Sequence, residues 1–293
     1  MTGSDGAEGA GASAMESGET RGRRFGRPNP ARALVAAFQF LTIAPLSLRP
    51  PATPAEVAHS MAYFPLVGGI LGLALAAFDA ALGLAFVGPA RVGLVVAALV
   101  LLTRAIHFDG LMDSFDGLFG GWTPERRLEI MRDSRVGSFG ALAAAGDLLL
   151  RFAALLAVPP WLRLVALVSA LSLGRWSLVY ATAAFPYGRP TGLGAAYKAR
   201  VGRLEMLLAT VFALAAVTAA FSFSGSVGLV PTPSAALRVV GLLALAWVIA
   251  AAFGRYVVTR LPGQTGDTYG ATNELVEIAV LLVFGSPLFG LVG

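Results

Sequence analysis

The chain has 293 residues, of which 56% are hydrophobic and only 13% are charged, against about 25% charged residues in an average soluble domain. This composition excludes an ordinary soluble protein and indicates an integral membrane protein. The absence of cysteine excludes disulfides, thiolate metal sites and a cysteine nucleophile. The net charge is +5, with no long basic run outside the N-terminal tail, so the bilayer is a better partner than nucleic acid.

The first 30 residues differ in composition from the rest of the chain. They are rich in Gly, Ala, Ser, Glu and Arg and contain little to bury, so we predict a disordered cytoplasmic tail over 1–30. The segment lacks the apolar core of a secretory signal. Its arginines, which are Arg21, Arg23, Arg24 and Arg27, are typical of a tail that fixes membrane orientation; contact with anionic lipid is the alternative.

Residues 31–293 are expected to form one membrane-embedded domain. A spanning helix needs about 20 mainly apolar residues, so the apolar stretches predict an all-α, polytopic helical bundle with about seven spans. The expected spans are 62–87, 90–106, 137–158, 161–185, 204–225, 235–258 and 273–292. The stretch 34–46 is short and ends near Pro45, which favours a re-entrant or interfacial segment over a full span.

Arginine and lysine lie mostly on one side of this expected bundle. With the N-terminus in the cytoplasm, the cytoplasmic segments are the tail to residue 61, 107–136, 186–203 and 259–272. The opposite side carries little beyond Arg91, Arg163 and Arg238. This asymmetry agrees with the positive-inside rule, and it predicts that the polar motifs face the cytoplasm.

Three carboxylates are concentrated in "HFDGLMDSFDGLFGG", residues 107–121. Asp109 and Asp113 are four positions apart and Asp116 follows three later, so a helix would project all three from one face. Like charges at this spacing repel, and no Lys or Arg interrupts the segment. A divalent cation is the simplest counter-charge, and oxygen ligands suit Mg²⁺, Mn²⁺ or Ca²⁺ better than zinc. An exposed acidic turn is the alternative, but the interleaved apolar residues disfavour it.

The segment "RRLEIMRDSRVGSFG", residues 126–140, mixes arginines with carboxylates just before an expected span. The guanidinium groups of Arg132 and Arg135 suit phosphate oxygens, and Asp133 is a candidate metal ligand or base. The span would begin near Ser138, whose amide could face an anion. Juxtamembrane arginines that only follow the positive-inside rule are the alternative.

Two later polar segments are "FPYGRPTGLGAAYKAR", residues 185–200, and "GQTGDTYGATNELVE", residues 263–277. Glycine-rich loops let the backbone approach a ligand closely, although a plain connector and helix caps are the respective alternatives. The candidate phosphate-binding residues in these segments are Arg189, Lys198, Asp267, Asn273 and Glu274.

Charged residues also lie within the expected spans. Asp147 and Arg151 are four positions apart and are expected to pair within the bilayer. Arg175 has no such neighbour in sequence, and either a site or an ion pair would explain it. His107 adjoins the carboxylates as a candidate proton shuttle or as a satisfied buried histidine.

Four segments together resemble the cobalamin synthase family, whose members are adenosylcobinamide-GDP ribazoletransferases. The segments are "FPLVGG" at 64–69, "HFDGLMDSFDGL" at 107–118, "RRLEIMRDSRVGSFG" at 126–140 and "GDTYGATNELVE" at 266–277. The resemblance runs from about residue 34 to the end of the chain, and the second and third segments are long and specific. Met112 and Phe115 stand where smaller residues are commoner in the family, a departure that touches no carboxylate.

The resemblance implies a Mg²⁺-dependent membrane transferase of late vitamin B12 synthesis. Its acceptor, either α-ribazole or its 5′-phosphate, displaces GMP from adenosylcobinamide-GDP and gives adenosylcobalamin or its 5′-phosphate. The expected catalytic and metal-binding residues are Asp109, Asp113, Asp116 and Asp133. Arg132 or Arg135 would offset charge on the transferred phosphoryl group. The choice of acceptor and the oligomeric state, including a homo-oligomer, stay open.

Two other function classes are considered beside this one. A CDP-alcohol phosphotransferase also uses clustered membrane aspartates, but in its signature "AR" follows "DG", whereas Leu111 and Met112 follow here. An ion-coupled transporter would hold ions with carboxylates near the middle of the bilayer. The carboxylates of this chain lie instead at the end of an expected span and near arginines, which suits phosphates better.

Overall fold

The computed structural model describes residues 28–189, 193–226, 235–287 and 289, and the described residues form twelve α-helices. In chain order these are α1 Pro30–Leu41, α2 Pro54–Ser60, α3 Phe64–Leu82, α4 Gly88–Leu102, α5 Ile106–Gly120, α6 Pro124–Ile130, α7 Ser138–Ala157, α8 Arg163–Ala184, α9 Leu193–Lys198, α10 Arg203–Ser226, α11 Ala235–Val258 and α12 Gly266–Gly285. This confirms the all-α prediction. The predicted disordered tail falls, up to residue 27, outside the described residues.

Five helical stretches are long and apolar enough to cross a membrane, which confirms a polytopic membrane protein. They are Pro54–Leu82, which joins α2 to α3, Ser138–Ala157, Pro160–Ala184, Arg203–Ser226 and Ala235–Val258. The helices α4 and α5 would count as a sixth if they formed one span, but they are bent by 86°. The expected number was about seven, and the differences lie in two places.

The expected span at 90–106 is interrupted, because α4 ends at Leu102 and the chain turns. Arg104 and Ala105 adopt left-handed φ angles of 53° and 54°, and α5 then leaves in a new direction. The expected span at 273–292 begins earlier, at Gly266, since Thr265 caps the helix by accepting a hydrogen bond from the amide of Thr268 at 3.2 Å. The helix α12 is not among the five apolar spans.

The predicted short N-terminal segment is α1, whose 12 residues extend about 18 Å and are too short for a span. It starts at Pro30 rather than residue 34, because the side chain of Asn29 caps the amide of Ala31 at 3.0 Å. Arg32 then pairs with Glu56 at 2.8 Å. That ion pair fastens α1 to α2 at the edge of the bundle.

Helix α8 lies at the centre of the bundle, and the most apolar stretch within Pro160–Ala184 is 89% buried. Helix α3 approaches it so closely that a Cβ at Gly68 would lie 2.2 Å from the carbonyl oxygen of Leu171. A Cβ at Gly72 would lie 2.6 Å from that of Leu167. Glycine is therefore required at both positions, as is usual where membrane helices pack backbone to backbone.

Away from the polar motifs, α3, α4 and α8 are joined by an ion cluster of three residues. Asp79 accepts a hydrogen bond from Arg163 at 2.9 Å and another from the Nε of Arg91 at 2.7 Å. Two of the three arginines expected on this side therefore share one carboxylate, which offsets one of their two charges. The third, Arg238, lies over the ring of Phe289 at 4.8 Å from its centroid.

A second ionic cluster lies in the interior and joins α7, α8 and α12. Arg151 donates to Asp147 at 2.7 Å, as expected, and also to Glu277 at 2.6 Å and to Glu274. Arg175, whose partner the sequence left open, pairs with Glu277. We call these five residues the core ion cluster.

Replacing Arg151 by Leu should strongly destabilise the protein, because three buried carboxylates lose their shared partner. Removing one member of a buried ion pair costs about 3–5 kcal/mol. Thermal unfolding of the purified protein in detergent measures this effect. The matched control is Arg126→Leu, whose ion pair with Glu129 is exposed, with side-chain exposures of 59% and 68%, and should leave the midpoint unchanged. Equal midpoints for the two variants would contradict the assigned role of Arg151.

Candidate active site

The polar motifs converge at the end of the bundle opposite Asp79. Residues after α8 and before α12 pair through their backbones, with the amide of Gly188 donating to the carbonyl of Gln264 at 2.7 Å. Helix α5 packs against the start of α12, because Gly110 lets the backbone of Asp267 approach; a Cβ there would lie 2.8 Å from its carbonyl oxygen. Arg127 donates to the carbonyl of Arg260 at 3.2 Å and connects α6 to the same end.

Asp116 caps the N-terminus of helix α7. Its two carboxylate oxygens accept hydrogen bonds from the amides of Gly137 and Gly140, each at 2.8 Å. Only 7% of Asp116 is exposed. The anion expected near Ser138, at the start of α7, is thus the side chain of Asp116 itself. This arrangement argues against Asp116 as a metal ligand.

Asp109, Asp113 and Asp267 form a group of like charges beside Arg189. The charges of Asp109 and Asp267 act on Asp113 from close by, and Arg189 opposes them. Asp267 accepts a hydrogen bond from Arg189 at 2.8 Å, and the Nε of Arg189 is buried without a partner. We call the three aspartates the carboxylate cluster. Two predicted motifs, on α5 and at the start of α12, are therefore neighbours in space.

The carboxylate cluster is not arranged as a finished metal site. Among the residues that the structure describes, no three His, Asp or Glu side chains are placed so that they could hold one metal ion. The metal predicted from the sequence therefore stays a prediction. The oxygen atoms of the cluster remain the right chemical type for a hard divalent cation.

The segment with Arg132, Asp133 and Arg135 lies at the surface beside Asp116. Asp133 pairs with Arg135 at 2.6 Å, and hydrogen bonds from Arg135 together with its charge lower the pKa of Asp133 to about 2. A carboxylate with so low a pKa is a poor general base at neutral pH, which argues against that role for Asp133. Arg135 and Arg132 are exposed and can reach a ligand at this surface.

Three other predicted phosphate-binding residues are used within the protein. Lys198 donates to the carbonyls of Thr182 at 2.9 Å and Ala183 at 3.1 Å, and so caps the end of α8. Glu274 pairs with an arginine of the core ion cluster, and Asn273 donates to Glu274 at 3.0 Å. These contacts argue against direct phosphate binding by all three. Position in sequence alone could not separate them from Asp267, which does lie in the carboxylate cluster.

A cavity of about 240 Å³ opens beside the carboxylate cluster and was not predicted from the sequence. Asp109 and Asp267 lie in its wall, and His107 joins them. The remaining lining is mostly apolar and aromatic and comes from α1, α3, α8, α9 and α12. The aromatic lining residues are Phe40, Phe64, Tyr197 and Tyr269. Their scatter over distant helices leaves no periodic signal that could have revealed the cavity.

Comparison with known proteins identifies the family. Residues 33–285 match the family described as "Cobalamin-5-phosphate synthase". The chain belongs to this family. The match includes α3, α5, α7 and α12, and so covers the carboxylate cluster and the cavity. No solved structure matches the chain.

Curated relatives cover nearly the whole chain. A protein of Roseiflexus sp. (strain RS-1), named adenosylcobinamide-GDP ribazoletransferase, is 37% identical over 94% of this chain and 98% of its own length. Proteins with the same name from Desulforamulus reducens and Stutzerimonas stutzeri are 37% and 40% identical, over 86% and 85% of this chain and 95% and 96% of their own lengths. The family resemblance noted in the sequence is thereby confirmed.

Thermal stability distinguishes the helix-capping role of Asp116 from the surface ion pair of Asp133. Asp116→Asn should lower the free energy of unfolding by about 1.5–3 kcal/mol, because an amide nitrogen cannot accept one of the two amide hydrogen bonds. Asp133→Asn, at an exposed ion pair, should leave it unchanged. Thermal unfolding in detergent, without added metal, measures both. An Asp116→Asn protein as stable as the wild type would mean that the cap contributes little.

Proposed function

We propose that this protein joins α-ribazole, or its 5′-phosphate, to adenosylcobinamide-GDP with release of GMP. Its family and the names of its relatives support this assignment. The structural observation that carries it is the carboxylate cluster with Arg189, placed beside a cavity at one end of a membrane bundle. Such an arrangement suits transfer between phosphate oxygens, where catalysis is mainly positioning and charge neutralisation.

In the proposed reaction a hydroxyl oxygen of the ribazole attacks the phosphorus atom nearer to cobinamide. The bond between this phosphorus and the oxygen of the GMP leaving group breaks, and GMP leaves with the bonding electrons. The attacking hydroxyl loses its proton as the new phosphodiester forms. The protein has to hold the pyrophosphate and the acceptor hydroxyl in line for this displacement.

Mg²⁺ is the proposed metal, and Asp109, Asp113 and Asp267 are the residues that would hold it. Their oxygen atoms are of the type that hard cations prefer, and their mutual repulsion calls for positive charge. No three such side chains among the described residues are placed to hold one ion, so metal binding would have to draw these carboxylates together. A bound Mg²⁺ would neutralise pyrophosphate oxygens and stabilise the departing GMP. Compared with the four ligands predicted from the sequence, this set keeps Asp109 and Asp113 and omits Asp116 and Asp133. Asp267 is new to it.

Arg189 is the proposed phosphate-binding residue at the carboxylate cluster. One of its nitrogens already bonds Asp267, while the buried Nε has no partner and can donate to a phosphate oxygen. A guanidinium group suits this task because it offers several N–H donors in one plane. Arg132 and Arg135 are proposed to attract the nucleotide from the exposed surface.

Asp113→Asn should abolish GMP release from adenosylcobinamide-GDP, because it removes a charge from the proposed metal site. Mg²⁺ should raise the thermal unfolding midpoint of the wild-type protein and have a smaller effect on this variant. The control is Asp133→Asn, which should keep both responses. Wild-type GMP release by Asp113→Asn would contradict the metal proposal. Release of CMP from a CDP-alcohol, with no GMP from the cobinamide donor, would contradict the proposed function.

We further propose that the carboxylate cluster faces the cytoplasm of a bacterial cell at its inner membrane. The helices that bear the cluster end or begin beside segments rich in arginine, such as 126–135, which the positive-inside rule assigns to the cytoplasm. At the opposite end, Asp79 pairs with Arg91 and Arg163 and offsets one of their two positive charges. The net positive charge of that end is therefore lower than the number of its arginines.

Orientation can be tested with single cysteines, since the chain has no cysteine of its own. Trp122, at the cluster end, and Leu84, at the opposite end, are matched in exposure at 92% and 91%. In intact cells a membrane-impermeant maleimide should label Leu84→Cys and leave Trp122→Cys unlabelled until the membrane is permeabilised. The reverse pattern would place the cluster outside the cytoplasm.

A further inference from the structure

The cavity beside the carboxylate cluster has an aromatic wall on one side. The rings of Phe40 and Phe64 stack at 5.6 Å, and Tyr197 meets them edge-on at 5.9 and 6.1 Å. Met61 and Leu178 extend this apolar surface. The cavity is thus polar at the carboxylates and apolar away from them, which is the pattern of a site for a ligand with two unlike ends.

His107 adds a polar group whose hydrogen-bonding capacity is unused. It lines the cavity, is only 4% exposed, and neither of its ring nitrogens has a hydrogen-bond partner. Buried polar groups are nearly always satisfied, and the exceptions call for an explanation. A ligand in the cavity that offers a hydroxyl or a ring nitrogen would supply the missing partner.

We propose that this cavity binds the apolar bicyclic base of the ribazole acceptor, with the ribose toward Asp109 and Asp267. This inference rests on the proposed function and specifies which of its two substrates the cavity takes. The base would lie against Phe64 and the neighbouring rings. His107 would form a hydrogen bond with either the ribose or the unsubstituted ring nitrogen of the acceptor.

The size of the cavity excludes the corrin part of the donor. A volume of about 240 Å³ is below the roughly 300–1,000 Å³ of sites for drug-sized ligands. It can take a group of two fused rings, whereas a corrin macrocycle with its side chains is several times larger. The cobinamide must therefore bind outside this cavity.

Polarity favours the ribazole base over guanine, the other bicyclic group in the reaction. Guanine carries a carbonyl, a ring N–H and an amino group along its edge, and burying these groups without hydrogen-bond partners is unfavourable. Phe40, Met61, Phe64 and Leu178 offer no side-chain nitrogen or oxygen to such an edge, whereas Thr182, Tyr197 and Tyr269 bring hydroxyls to the rest of the lining. The methylated benzimidazole edge of ribazole needs no partner, so the four apolar side chains match the acceptor.

Kinetics with two matched variants test this assignment. Phe64→Leu should raise the KM for α-ribazole about fivefold or more and leave the KM for adenosylcobinamide-GDP unchanged, since base stacking on an aromatic ring is lost. Phe221→Leu is the control, because Phe221 is equally buried at 1% but packs with Phe284 at the opposite end of the bundle. It should change neither KM.

His107 is tested by a pair of substitutions. His107→Leu should raise the KM for α-ribazole about fivefold or more, while His107→Gln, which can still hydrogen-bond, should recover part of this loss. A merely structural histidine would show no such recovery. Ile106→Phe should also weaken α-ribazole binding, because the larger side chain fills part of the cavity. This variant tests the assignment if Phe64→Leu fails to fold.

Binding without turnover separates this inference from the proposed function. The purified wild-type protein should bind α-ribazole in a fluorescence titration without donor, and 5,6-dimethylbenzimidazole should compete while GMP should not. Loss of donor affinity in Phe64→Leu with unchanged α-ribazole affinity would overturn the acceptor assignment, as would competition by GMP alone. Binding of α-ribazole by a wild-type protein that releases no GMP would support the cavity assignment and contradict the proposed function.

Discussion

The core ion cluster is the constraint on which the arrangement of this bundle depends. Charges inside a membrane protein are costly unless they are paired, and here two arginines must serve three carboxylates drawn from α7 and α12. Arg151 contacts all three of them, and these contacts hold α12 against α7 in the observed register. That register places Asp267, at the start of α12, beside α5. The position of the carboxylate cluster at the bundle end thus follows from ion pairs made deep inside it.

The aspartates of α5 make different contacts: one caps a helix, and the other two lie in the carboxylate cluster. Asp116 holds the first turn of α7 through two amides, and Gly137 and Gly140 leave the room that its carboxylate occupies, since a Cβ at either would lie 2.3 Å from it. The same helix presents Asp109 to the cavity two turns earlier. An acidic stripe that looks uniform in sequence is therefore divided: Asp116 caps the N-terminus of α7, while Asp109 and Asp113 belong to the carboxylate cluster.

Local patterns in the sequence predicted five of the seven expected spans, the pairing of Asp147 with Arg151 and the position of the α5 aspartates on one helix. These features depend on residues three or four positions apart, where helix geometry decides the outcome. Partners that are distant in sequence could not be predicted: Arg175 pairs with Glu277 across the bundle, and Asp116 meets amides more than 20 positions later. The bend at Arg104 also left no signal, because no glycine or proline marks it.

The cavity and the carboxylate cluster together provide an apolar surface and a polar one, and the reaction requires both. A ribazole carries an apolar base and a polar sugar, and its partner carries a pyrophosphate, so the reaction brings apolar and highly charged groups within a few bonds of each other. A membrane bundle supplies apolar walls throughout its interior, but it tolerates charge only where counter-charges or water are near. Placing the aromatic wall inward and Asp109, Asp267 and Arg189 at the bundle end satisfies both requirements. The acceptor hydroxyl then meets phosphate at the boundary between them, where positioning decides the rate.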